Sequence, residues 1–499
     1  MAKQLTFLDK AFWITESDSS PKHVAGLQFL AYPQNDSKDD KSNRDYVSEL
    51  TKTLRKFDKP YSPFSCIVVS FLGYPIKLVD TDKLNMSYHV QHHTIKDTSD
   101  AKEVNDYVAS LHEVRLERDK PLWQYHLIDS ENNEQFAIYV KIHHMYGDGA
   151  ALVRWFQSGM TEQPNTKGFT PVWAIEHPER KRRKQSKWLK GLKNLWLFGW
   201  TLVDIARMFI QLFAKLVRIN RHYMPLPFSG TKTVLTGQVK SGRTVATTNL
   251  PMDRIIALSK RTRATVNEVL LTSFDIGVHR FLKDYGQTFD KALITQMPIN
   301  LRRPGEETGG NKIGIALVQL AYGKKDPYKR LQQIVQSNKI VKRAAKRVYP
   351  AAFAYYTIWW QSVALMFEKL HLSNVFRPLG NILISNVPGP KQPLYFGDCK
   401  TLSIYPISAL TPGGGVNITL LTYNGVANIG LVCCNDKIKS LEPMAQYFVE
   451  AFALLEACVD DPSISADDIG ELAKPTPKSL VNDPSIDGSL LDEKPHKIT

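Results

Sequence analysis

The stretch that decides the fold is QFAIYVKIHHMYGDG, Gln135–Gly149, in which an apolar run leads directly into two histidines, an aspartate and two glycines. The run Gln135–Ile142 predicts a buried strand, and the small, apolar segment that begins at Gly149 predicts a helix. A strand, polar turn and helix in this order often present functional side chains at the end of the strand. Histidine, with an ordinary pKa of about 6.5, suits proton transfer at neutral pH. His144 is therefore a candidate general base, with Asp148 placed to fix the geometry of the turn and Gly149 to relax its backbone.

From the residues alone, His143 and His144 have two other interpretations: a hydrogen-bonded pair in the core, or metal ligands. A metal site is disfavoured because the chain has no HExxH motif and no cysteine beside the pair. A second double histidine, His92-His93, is followed by an aspartate but lacks the apolar strand before it and the glycine and helix after it. We predict that this second pair lies in a polar strand-to-loop stretch, with His89 alternating alongside, and has no catalytic role.

The overall composition is that of a soluble globular protein. The 499 residues are 43% hydrophobic and 23% charged, which excludes wholesale disorder, a collagen-like chain and a polytopic membrane protein. At about 100 to 200 residues per domain, this length predicts two or three domains. Lysine and arginine number 64 against 49 acidic residues, a net charge of +15, although residues 460–499 are acidic. The basic body suggests an anionic lipid, a phosphate-rich cofactor or nucleic acid as partner, or serves solubility alone. No nucleic-acid-binding motif accompanies the charge, so we predict no nucleic-acid partner.

Cysteine usage and the N-terminus predict a cytoplasmic protein. The five cysteines are an odd number without CxxC spacing, which fits neither a disulfide framework nor a zinc site. The opening residues contain no apolar segment of signal-peptide length.

The chain divides into four predicted segments. They are an N-terminal α/β domain over 1–175, a basic and apolar linker region over 176–230, a C-terminal α/β domain over 231–459, and an acidic, disordered tail over 460–499. In the linker, 192–216 is rich in Leu, Trp and Phe and follows a basic cluster. Such a segment is typical of an interfacial membrane anchor, and equally of a crossover helix packed between two domains. Further strands are predicted at Ser65–Leu72, Ala292–Ile299, Ile313–Ala321, Ile382–Ser385 and Val416–Thr422, and further helices at Ser42–Asp58, Arg254–Lys260, Val266–Phe281, Tyr328–Val348, Ala351–Leu370 and Leu441–Val459.

Several other reaction mechanisms lack their motifs. The chain has no GxSxG nucleophile elbow, no GxxxxGK[ST] phosphate loop, and no GxGxxG after a strand. Since no nucleophilic side chain is evident beside a base, the simpler mechanism is direct attack by a substrate that His144 activates.

A set of motifs in a characteristic order points to a known family. The stretch HHMYGDG resembles the HHxxxDG motif of the bacterial wax ester synthase/diacylglycerol acyltransferase family, within the chloramphenicol-acetyltransferase-like superfamily of CoA-dependent acyltransferases. The other stretches that resemble this family are LTFLDKAFW (5–13), HVAG (23–26), DKPLW (119–123), TVNEVLL (265–271), MPINLRR (297–303), ISNVPGP (384–390) and YNG (423–425).

The resemblance implies a fold and a set of site residues. The fold would be α/β, with two chloramphenicol-acetyltransferase-like domains, each a mixed sheet with flanking helices, and an active-site channel at their interface. His144 would be the general base and His143 would support it, while Asp148 would orient the loop, with Arg302 as a candidate partner. Asn267 could contact the histidine or the developing oxyanion; where the family has Asn-Asp, this chain has Asn267-Glu268. The segment 386–390 would be a shaping turn.

The resemblance also implies an activity and partners. The chain would be an acyl-CoA-dependent O-acyltransferase that esterifies long-chain fatty alcohols, diacylglycerol or both. It would use acyl-CoA as co-substrate, with no permanently bound cofactor and no metal, and would associate peripherally with the inner membrane or lipid inclusions. The alternatives are acylation of another acceptor, such as condensation on a carrier-bound substrate, and a lipid-surface protein of the same fold without turnover. Acceptor preference and acyl chain length stay open.

Overall fold

The computed structural model describes residues 3–33, 40–82, 84–130, 135–147, 149–165, 169–176, 187–220, 222–287, 291–300 and 313–461. These residues form a mixed α/β protein. Its strands are β1 (Lys3–Gln4), β2 (His23–Ala31), β3 (Cys66–Phe71), β4 (Tyr74–Asp80), β5 (Val90–Ile95), β6 (Trp123–Ser130), β7 (Gln135–His143), β8 (Arg243–Pro251), β9 (Ile294–Asn300), β10 (Ile313–Gln319), β11 (Ile382–Val387), β12 (Tyr395–Phe396), β13 (Cys399–Ile407), β14 (Val416–Tyr423) and β15 (Val426–Cys434). Its helices are α1 (Phe7–Thr15), α2 (Asp40–Arg55), α3 (Met86–His89), α4 (Ala101–Glu113), α5 (Gly149–Ser158), α6 (Lys187–Leu216), α7 (Met252–Thr262), α8 (Val266–Asp284), α9 (Pro327–Lys346), α10 (Pro350–Lys369) and α11 (Glu442–Asp460), with a 3-10 turn at Val172–Ala174.

The first large sheet has the order β12-β13-β2-β7-β6-β5 across the described strands. Its pairs are antiparallel except for β5 and β6, which are parallel. The strand β7 that precedes the double histidine is central and almost completely buried. A small sheet of β1, β4 and β3 lies beside it. The sheet therefore brings the end of β7 next to the start of β2, where His143 pairs with His23.

The second large sheet has the order β10-β9-β11-β14-β15-β8, again counting the strands that the structure describes. The strand β11 is parallel to both of its neighbours, β9 and β14, and the other pairs are antiparallel. Asn424 and Gly425 join β14 to β15 with positive φ angles of 45° and 77°. Two positive φ angles are what a tight hairpin turn requires, which is why Asn-Gly is favoured there.

The first large sheet includes two strands from the second half of the sequence. β12 and β13, which come after most of the second half, join the first sheet at the edge of β2. A Cβ atom at Gly430 of β15 would lie 1.9 Å from the Pro406 oxygen of β13, so the backbones touch where the sheets meet. An apolar cluster drawn from β2, β7, α4, β8, β13 and β15 fills this junction. The predicted boundaries at residues 175 and 231 therefore divide the sequence but not the sheets, because two strands from beyond residue 231 belong to the first sheet.

Most of the predicted elements are present with small shifts of their ends. The apolar runs before His143, at 65–72 and at 416–422, form β7, β3 and β14, and the segment 192–216 lies within α6. His92 and His93 lie in β5, but the expectation that His89 alternates with them was wrong, because His89 ends the short helix α3. All five cysteines are buried and carry free thiols. The acidic tail from residue 462 onward lies outside the described residues.

Candidate active site

The turn that carries the double histidine is held by main-chain hydrogen bonds on both sides. The His143 amide donates to the Leu122 carbonyl and the His144 amide to the Lys22 carbonyl, each at 2.9 Å. The Tyr146 hydroxyl accepts from the Leu122 amide at 3.0 Å and donates to the Cys66 carbonyl. The segment DKPLW thus anchors the turn through the main chain at Leu122.

The His144 ring stacks on Phe12 of α1, with ring centroids 4.1 Å apart and an interplanar angle of 10°. His144 is half-buried, so one side of it remains accessible. Helix α1 begins with a capping box, in which the Thr6 hydroxyl accepts from the Asp9 amide and the Asp9 carboxylate accepts from the Thr6 amide. Such a box satisfies two amides at the helix start and defines where the helix begins. The segment LTFLDKAFW therefore positions an aromatic wall for the candidate base.

His143 faces a buried carboxylate. Its Nε2 lies 3.4 Å from Oε1 of Glu16, and both side chains are fully buried. The Met145 amide donates to Nδ1 of His143 at 3.1 Å, so Nδ1 carries no proton and the neutral ring is protonated at Nε2. Nε2–H therefore points to Glu16. This arrangement holds the His143 ring in one tautomer and ties it to the backbone of the turn.

Glu16 collects two more donors besides His143. Its carboxylate accepts from the Lys22 amide at 3.3 Å and from Nε of Arg118 at 3.2 Å. Burial by itself raises the pKa of Glu16, but the hydrogen bond and charge interaction with His143, the Lys22 amide and the charge of Arg118 together lower it. Arg118 also lies over the Trp13 ring at 4.2 Å. Glu16 is consequently an ionised anchor behind the two histidines.

Asn267 lies at the second position of α8, whose start is fixed by the residues around it. The Thr265 hydroxyl accepts from the Glu268 amide at 3.4 Å, and the Glu268 carboxylate accepts from the Thr265 amide at 2.9 Å. Glu268 also accepts from Nδ2 of Asn338 and Nζ of Lys342 on α9. Glutamate, where the family has aspartate, thus completes a capping box and ties α8 to α9.

A cavity of about 410 Å³ lies beside Asn267. The residues that line it come from α8, from β9, from the end of β14 and from β11 with the turn after it: Asn267, Met297, Pro298, Ile384, Asn386, Pro388 and Thr422. The turn packs tightly on β14, because a Cβ atom at Gly389 would lie 2.2 Å from the Thr422 carbonyl oxygen. Only glycine fits there, which explains the NVPGP segment in packing terms.

The histidine turn and this cavity meet at the end of β11. A Cβ atom at Gly149, directly after the turn, would lie 3.4 Å from Cγ2 of Val387, and Val153 of α5 packs on the same apolar cluster. Asn386, the neighbour of Val387, lines the cavity together with Asn267. The structure thus brings the loop of His143, His144 and Gly149 to the same strand end as Asn267. Asp148 and Arg302 lie outside the described residues, and their predicted roles stay predictions.

Sequence reasoning missed Glu16, Phe12 and Arg118. The signal that could have found the first two is the segment LTFLDKAFW, which resembles the family motif and ends three residues before Glu16. Arg118 directly precedes DKPLW. Phe12 and Glu16 lie about 130 positions before the double histidine, and Arg118 lies about 25 positions before it. No sequence periodicity links residues at such separations.

Other histidines form hydrogen bonds with polar side chains outside the HHxxxDG segment. His92 contacts Asp129 at 2.7 Å, and His93 contacts His126 at 3.0 Å. Burial lowers the pKa of His112 to about 3, and the ring lies 2.7 Å from the Tyr139 hydroxyl. Burial thus keeps the His112 ring neutral, and the other two contacts tie β5 to β6. Among residues with described positions, no group of three or more His, Cys, Asp or Glu side chains is arranged to hold a metal ion.

Helix α6 exposes an apolar surface. The segment Trp196–Leu216 is long and apolar enough to cross a membrane by length and composition, and only 22% of its most apolar window is buried. Its inner side is packed: Met208 and Leu212 join the core of the second half, and Asp204 accepts from the Tyr349 amide at 2.8 Å. Its outer side is exposed, as is part of the adjacent helix α10. The large apolar residues more than a third exposed on these helices are Trp196, Phe198, Trp200, Leu202, Val203, Phe209, Ile210, Phe213, Leu216, Tyr355, Trp359 and Met366.

Comparison with known families matches almost the whole described chain. Residues 5–270 match the wax ester synthase/diacylglycerol acyltransferase catalytic domain, and residues 309–456 match the C-terminal domain of the same family. A probable diacylglycerol O-acyltransferase of Mycobacterium tuberculosis is 27% identical over 464 residues, which cover 90% of this chain and 98% of the relative. The O-acyltransferase WSD of Acinetobacter baylyi is 25% identical over 464 residues, covering 91% of this chain and 96% of that protein.

Solved structures share the fold. The wax ester synthase/diacylglycerol acyltransferase from Marinobacter aquaeolei superposes with a TM-score of 0.70 at 24% identity, covering 92% of this chain and all of that one. The first condensation domain of the calcium-dependent antibiotic synthetase, in complex with a substrate analogue, superposes with a TM-score of 0.58 at 14% identity, covering 95% and 99%. These likenesses confirm a mixed α/β fold of two acyltransferase-like halves. With both of its family domains matched and the HHxxxDG turn in place, the chain is an acyltransferase and belongs to the wax ester synthase/diacylglycerol acyltransferase family.

Proposed function

We propose that the chain transfers the acyl group of a long-chain acyl-CoA to the hydroxyl group of a fatty alcohol, of diacylglycerol, or of both, with His144 as general base. The observation that carries this proposal is the placement of His144: a half-buried ring, stacked on Phe12 and held by its main chain, on a loop that reaches the strand end beside Asn267. The matching family is that of wax ester synthases and diacylglycerol acyltransferases, and the mycobacterial relative is named a diacylglycerol O-acyltransferase, which supports both acceptor classes.

The reaction needs one proton transfer and one stabilised anion. His144 takes the proton of the acceptor hydroxyl as that oxygen attacks the thioester carbon. The tetrahedral intermediate then collapses, the carbon–sulfur bond breaks, and the CoA thiolate takes the proton from the His144 imidazolium. The products are an ester and free CoA thiol. A positioned base of this kind contributes about 10²- to 10⁴-fold to the rate.

We assign to Asn267 the stabilisation of the oxyanion. Its carboxamide lines the cavity, and it lies in the first turn of α8, where the helix dipole favours negative charge. One preorganised donor to an oxyanion contributes about 10²- to 10³-fold to kcat. Glu16 and His143 act as positioning residues behind the base, because neither is exposed to the cavity side.

Acyl-CoA as the donor is supported by fold relatives as well as by family. A starter condensation domain of rhizomide synthetase, which superposes with a TM-score of 0.55 at 12% identity, was solved in complex with C8-CoA. The net charge of +15 suits a substrate that carries several phosphate charges.

We further propose that the protein works at a lipid surface, at the inner face of the membrane or on lipid inclusions, while the rest of the molecule lies in the cytoplasm. The support is the exposed apolar side of α6 and α10, since contiguous apolar patches of this kind mark interaction sites on soluble proteins. Because Met208, Leu212 and Asp204 lock the opposite side of α6 into the fold, the helix fits a position in the plane of the interface rather than across the bilayer.

The deciding experiment is the His144→Ala variant assayed with palmitoyl-CoA and either hexadecanol or diacylglycerol. We expect ester formation to fall by about 10²- to 10⁴-fold. The matched control is His92→Ala, which removes a histidine from the other HH pair, and we expect its activity to stay within about threefold of wild type, since that ring only pairs with Asp129. Near-native turnover by His144→Ala would refute the assignment of the base. Absence of turnover in the wild type with both acceptors would refute the proposed acceptors.

A further inference from the structure

A basic groove lies between α6 and α9, with a volume of about 720 Å³. Arg207 contributes from α6, Lys339 and Arg343 from α9, and Arg347 from the residue that caps α9, while His222 and Tyr223 close one end. The lining contains four cationic side chains and no carboxylate. A groove of this size is in the range of small-ligand sites, which occupy roughly 300 to 1,000 Å³.

The cations in the groove have little to neutralise them. Within the described part of the chain, Lys339, Arg343 and Arg347 make no ion pair with any carboxylate. Arg207 lies 3.6 Å from Asp204, but that carboxylate also accepts from the Tyr349 amide, and the Arg207 side chain is 67% exposed. Four cations held this close together raise one another's electrostatic energy, so the groove attracts an anion.

The helix dipole does not account for the arrangement. Cations in the last turn of a helix are favourable, and Arg343 lies there. Lys339, however, lies two turns before the end of α9, and Arg207 projects from a different helix across the groove.

The groove is separate from the catalytic cavity. Asn338 and Lys342 of α9 bond to Glu268 of α8, next to Asn267. Lys339 and Arg343 follow these two residues by one position each, so they are rotated about 100° around the α9 axis and project to a different side of the helix. No residue is shared between the groove and the cavity of Asn267.

The position of the groove indicates which anion it takes. Arg207 lies between Val203 and Ile210 on α6, one turn away on either side, and these are 45% and 63% exposed. The groove thus opens at the edge of the exposed apolar side of α6. At a membrane, phosphate groups lie just outside the hydrocarbon, so cations that border an inserted apolar surface meet lipid phosphates.

We propose that the α6–α9 groove binds the phosphate headgroup of an anionic phospholipid when the apolar side of α6 enters a lipid surface. This proposal rests on the lipid-surface part of the proposed function and adds the ligand chemistry: an anionic phosphate, held by Arg207, Lys339, Arg343 and Arg347. The groove selects anionic surfaces, whereas the apolar residues supply affinity for any lipid.

The test compares binding of the full chain to vesicles of phosphatidylcholine alone and of phosphatidylcholine mixed with phosphatidylglycerol. The groove variant is K339Q/R343Q, and the matched control is K283Q/K400Q, which removes the same charge from two exposed lysines outside the groove. Each cation near an anionic surface is worth about fivefold in affinity, so the groove variant should bind the mixed vesicles about 25-fold more weakly and neutral vesicles unchanged. The control should lose about threefold or less. Circular dichroism of each variant checks that it is folded, and R347Q, with an expected loss of about fivefold, gives a second readout.

Three results would overturn the proposal. If the groove and control variants lost equal affinity for the mixed vesicles, the overall positive charge of the protein, and not the groove, would account for binding to the anionic surface. Equal binding of neutral and mixed vesicles by the wild type would mean that no anion site operates. If the groove variant K339Q/R343Q had a raised KM for acyl-CoA in detergent and bound vesicles as well as the wild type, the groove would bind the phosphates of CoA instead. The lipid-surface proposal itself fails separately, if the wild type does not bind neutral vesicles or if I210S/F213S binds them as well as the wild type.

Discussion

The Glu16→Gln substitution removes one negative charge from behind the paired histidines while it keeps the shape of the side chain. In the native protein the Glu16 carboxylate accepts from the Lys22 amide at 3.3 Å and from Arg118 at 3.2 Å, and lies 3.4 Å from Nε2 of His143 in a charge contact. A glutamine side chain has a single acceptor oxygen, and its NH₂ group would face at least one of these donors.

The expected loss of stability follows from that mismatch. A hydrogen bond to a charged group contributes about 1.5 to 3 kcal/mol, and a buried donor left without an acceptor costs about 1 to 3 kcal/mol. Because Arg118 is 32% exposed, it can donate to water instead, and its lost hydrogen bond counts only in part. We therefore count the full loss of one buried interaction of Glu16 and the partial loss of the hydrogen bond from Arg118. The free energy of unfolding should fall by about 2 to 4 kcal/mol. Glu49→Gln is the matched control, since it removes an exposed carboxylate paired with Lys52 and should cost about 0.5 kcal/mol or less.

The effect on catalysis arises through position rather than contact. In the variant the negative charge beside Nε2 of His143 is gone, and the tautomer that accepts from the Met145 amide is no longer enforced. The turn that carries His144 then shifts. A displacement of about 1 Å near a reacting group costs about 10²-fold, so we expect kcat to fall by about 10- to 100-fold with KM nearly unchanged.

Urea titration measures the stability term, and ester formation from palmitoyl-CoA and hexadecanol measures kcat and KM. The pH profile of kcat/KM adds a readout that a purely structural role would not move: loss of the nearby negative charge should lower the apparent pKa of the base and shift the acid limb to lower pH. Wild-type kcat in a folded Glu16→Gln protein, whatever its stability, would refute the positioning role of Glu16.

Three further predictions follow from the site and its supports. Asn267→Ala should lower kcat by about 10²-fold with KM nearly unchanged, as single-turnover rates would reveal, and an unchanged rate would remove Asn267 from the oxyanion site. Gly389→Ala should lower the free energy of unfolding by about 1 to 3 kcal/mol in urea titration, because its Cβ would lie 2.2 Å from the Thr422 oxygen. Gly199→Ala is the control, because the space around Gly199 is open. Equal stability of the two variants would contradict the packing account. Burial lowers the pKa of Lys141 to about 7. Between pH 7 and 9 the unfolded chain therefore binds a proton at this lysine that the native chain does not bind. Because of this difference, the free energy of unfolding should rise with pH by at most about 1.4 kcal/mol per pH unit from this group. The Lys141→Met variant should show a smaller rise over this range, and an identical slope would exclude Lys141 as its source.

Much of the fold and the centre of the site could be predicted because the information is local. The predicted strand before the double histidine forms β7, which is nine residues long, ends at His143 and is central in its sheet, and the turn and helix follow as expected. Thr265, three positions before Glu268, is a capping signal in the sequence itself, which is why a helix that starts at Val266 and carries Asn267 in its first turn could be expected.

The parts that could not be predicted depend on residues far apart in the chain. β13 pairs with β2 across more than 370 residues, and nothing in its sequence tells which sheet it joins. Burial of Glu16 against His143 depends on how α1 packs on the end of β7. The groove of Arg207 and Arg343 depends on the packing of α6 beside α9, although the basic character of both segments is visible in the sequence.

The sequence by itself determined the strand–turn–helix around His144 and the α/β class, because hydrophobic period, capping and turn residues act within a few positions. The acyltransferase chemistry was implied by the resemblance of its ordered motifs to a known family. Only the tertiary structure decided which carboxylate contacts His143, which strands of the second half join the first sheet, and where the cationic side chains cluster. Those features arise from packing between distant segments, where burial and charge are set by neighbours in space that are not neighbours in the chain.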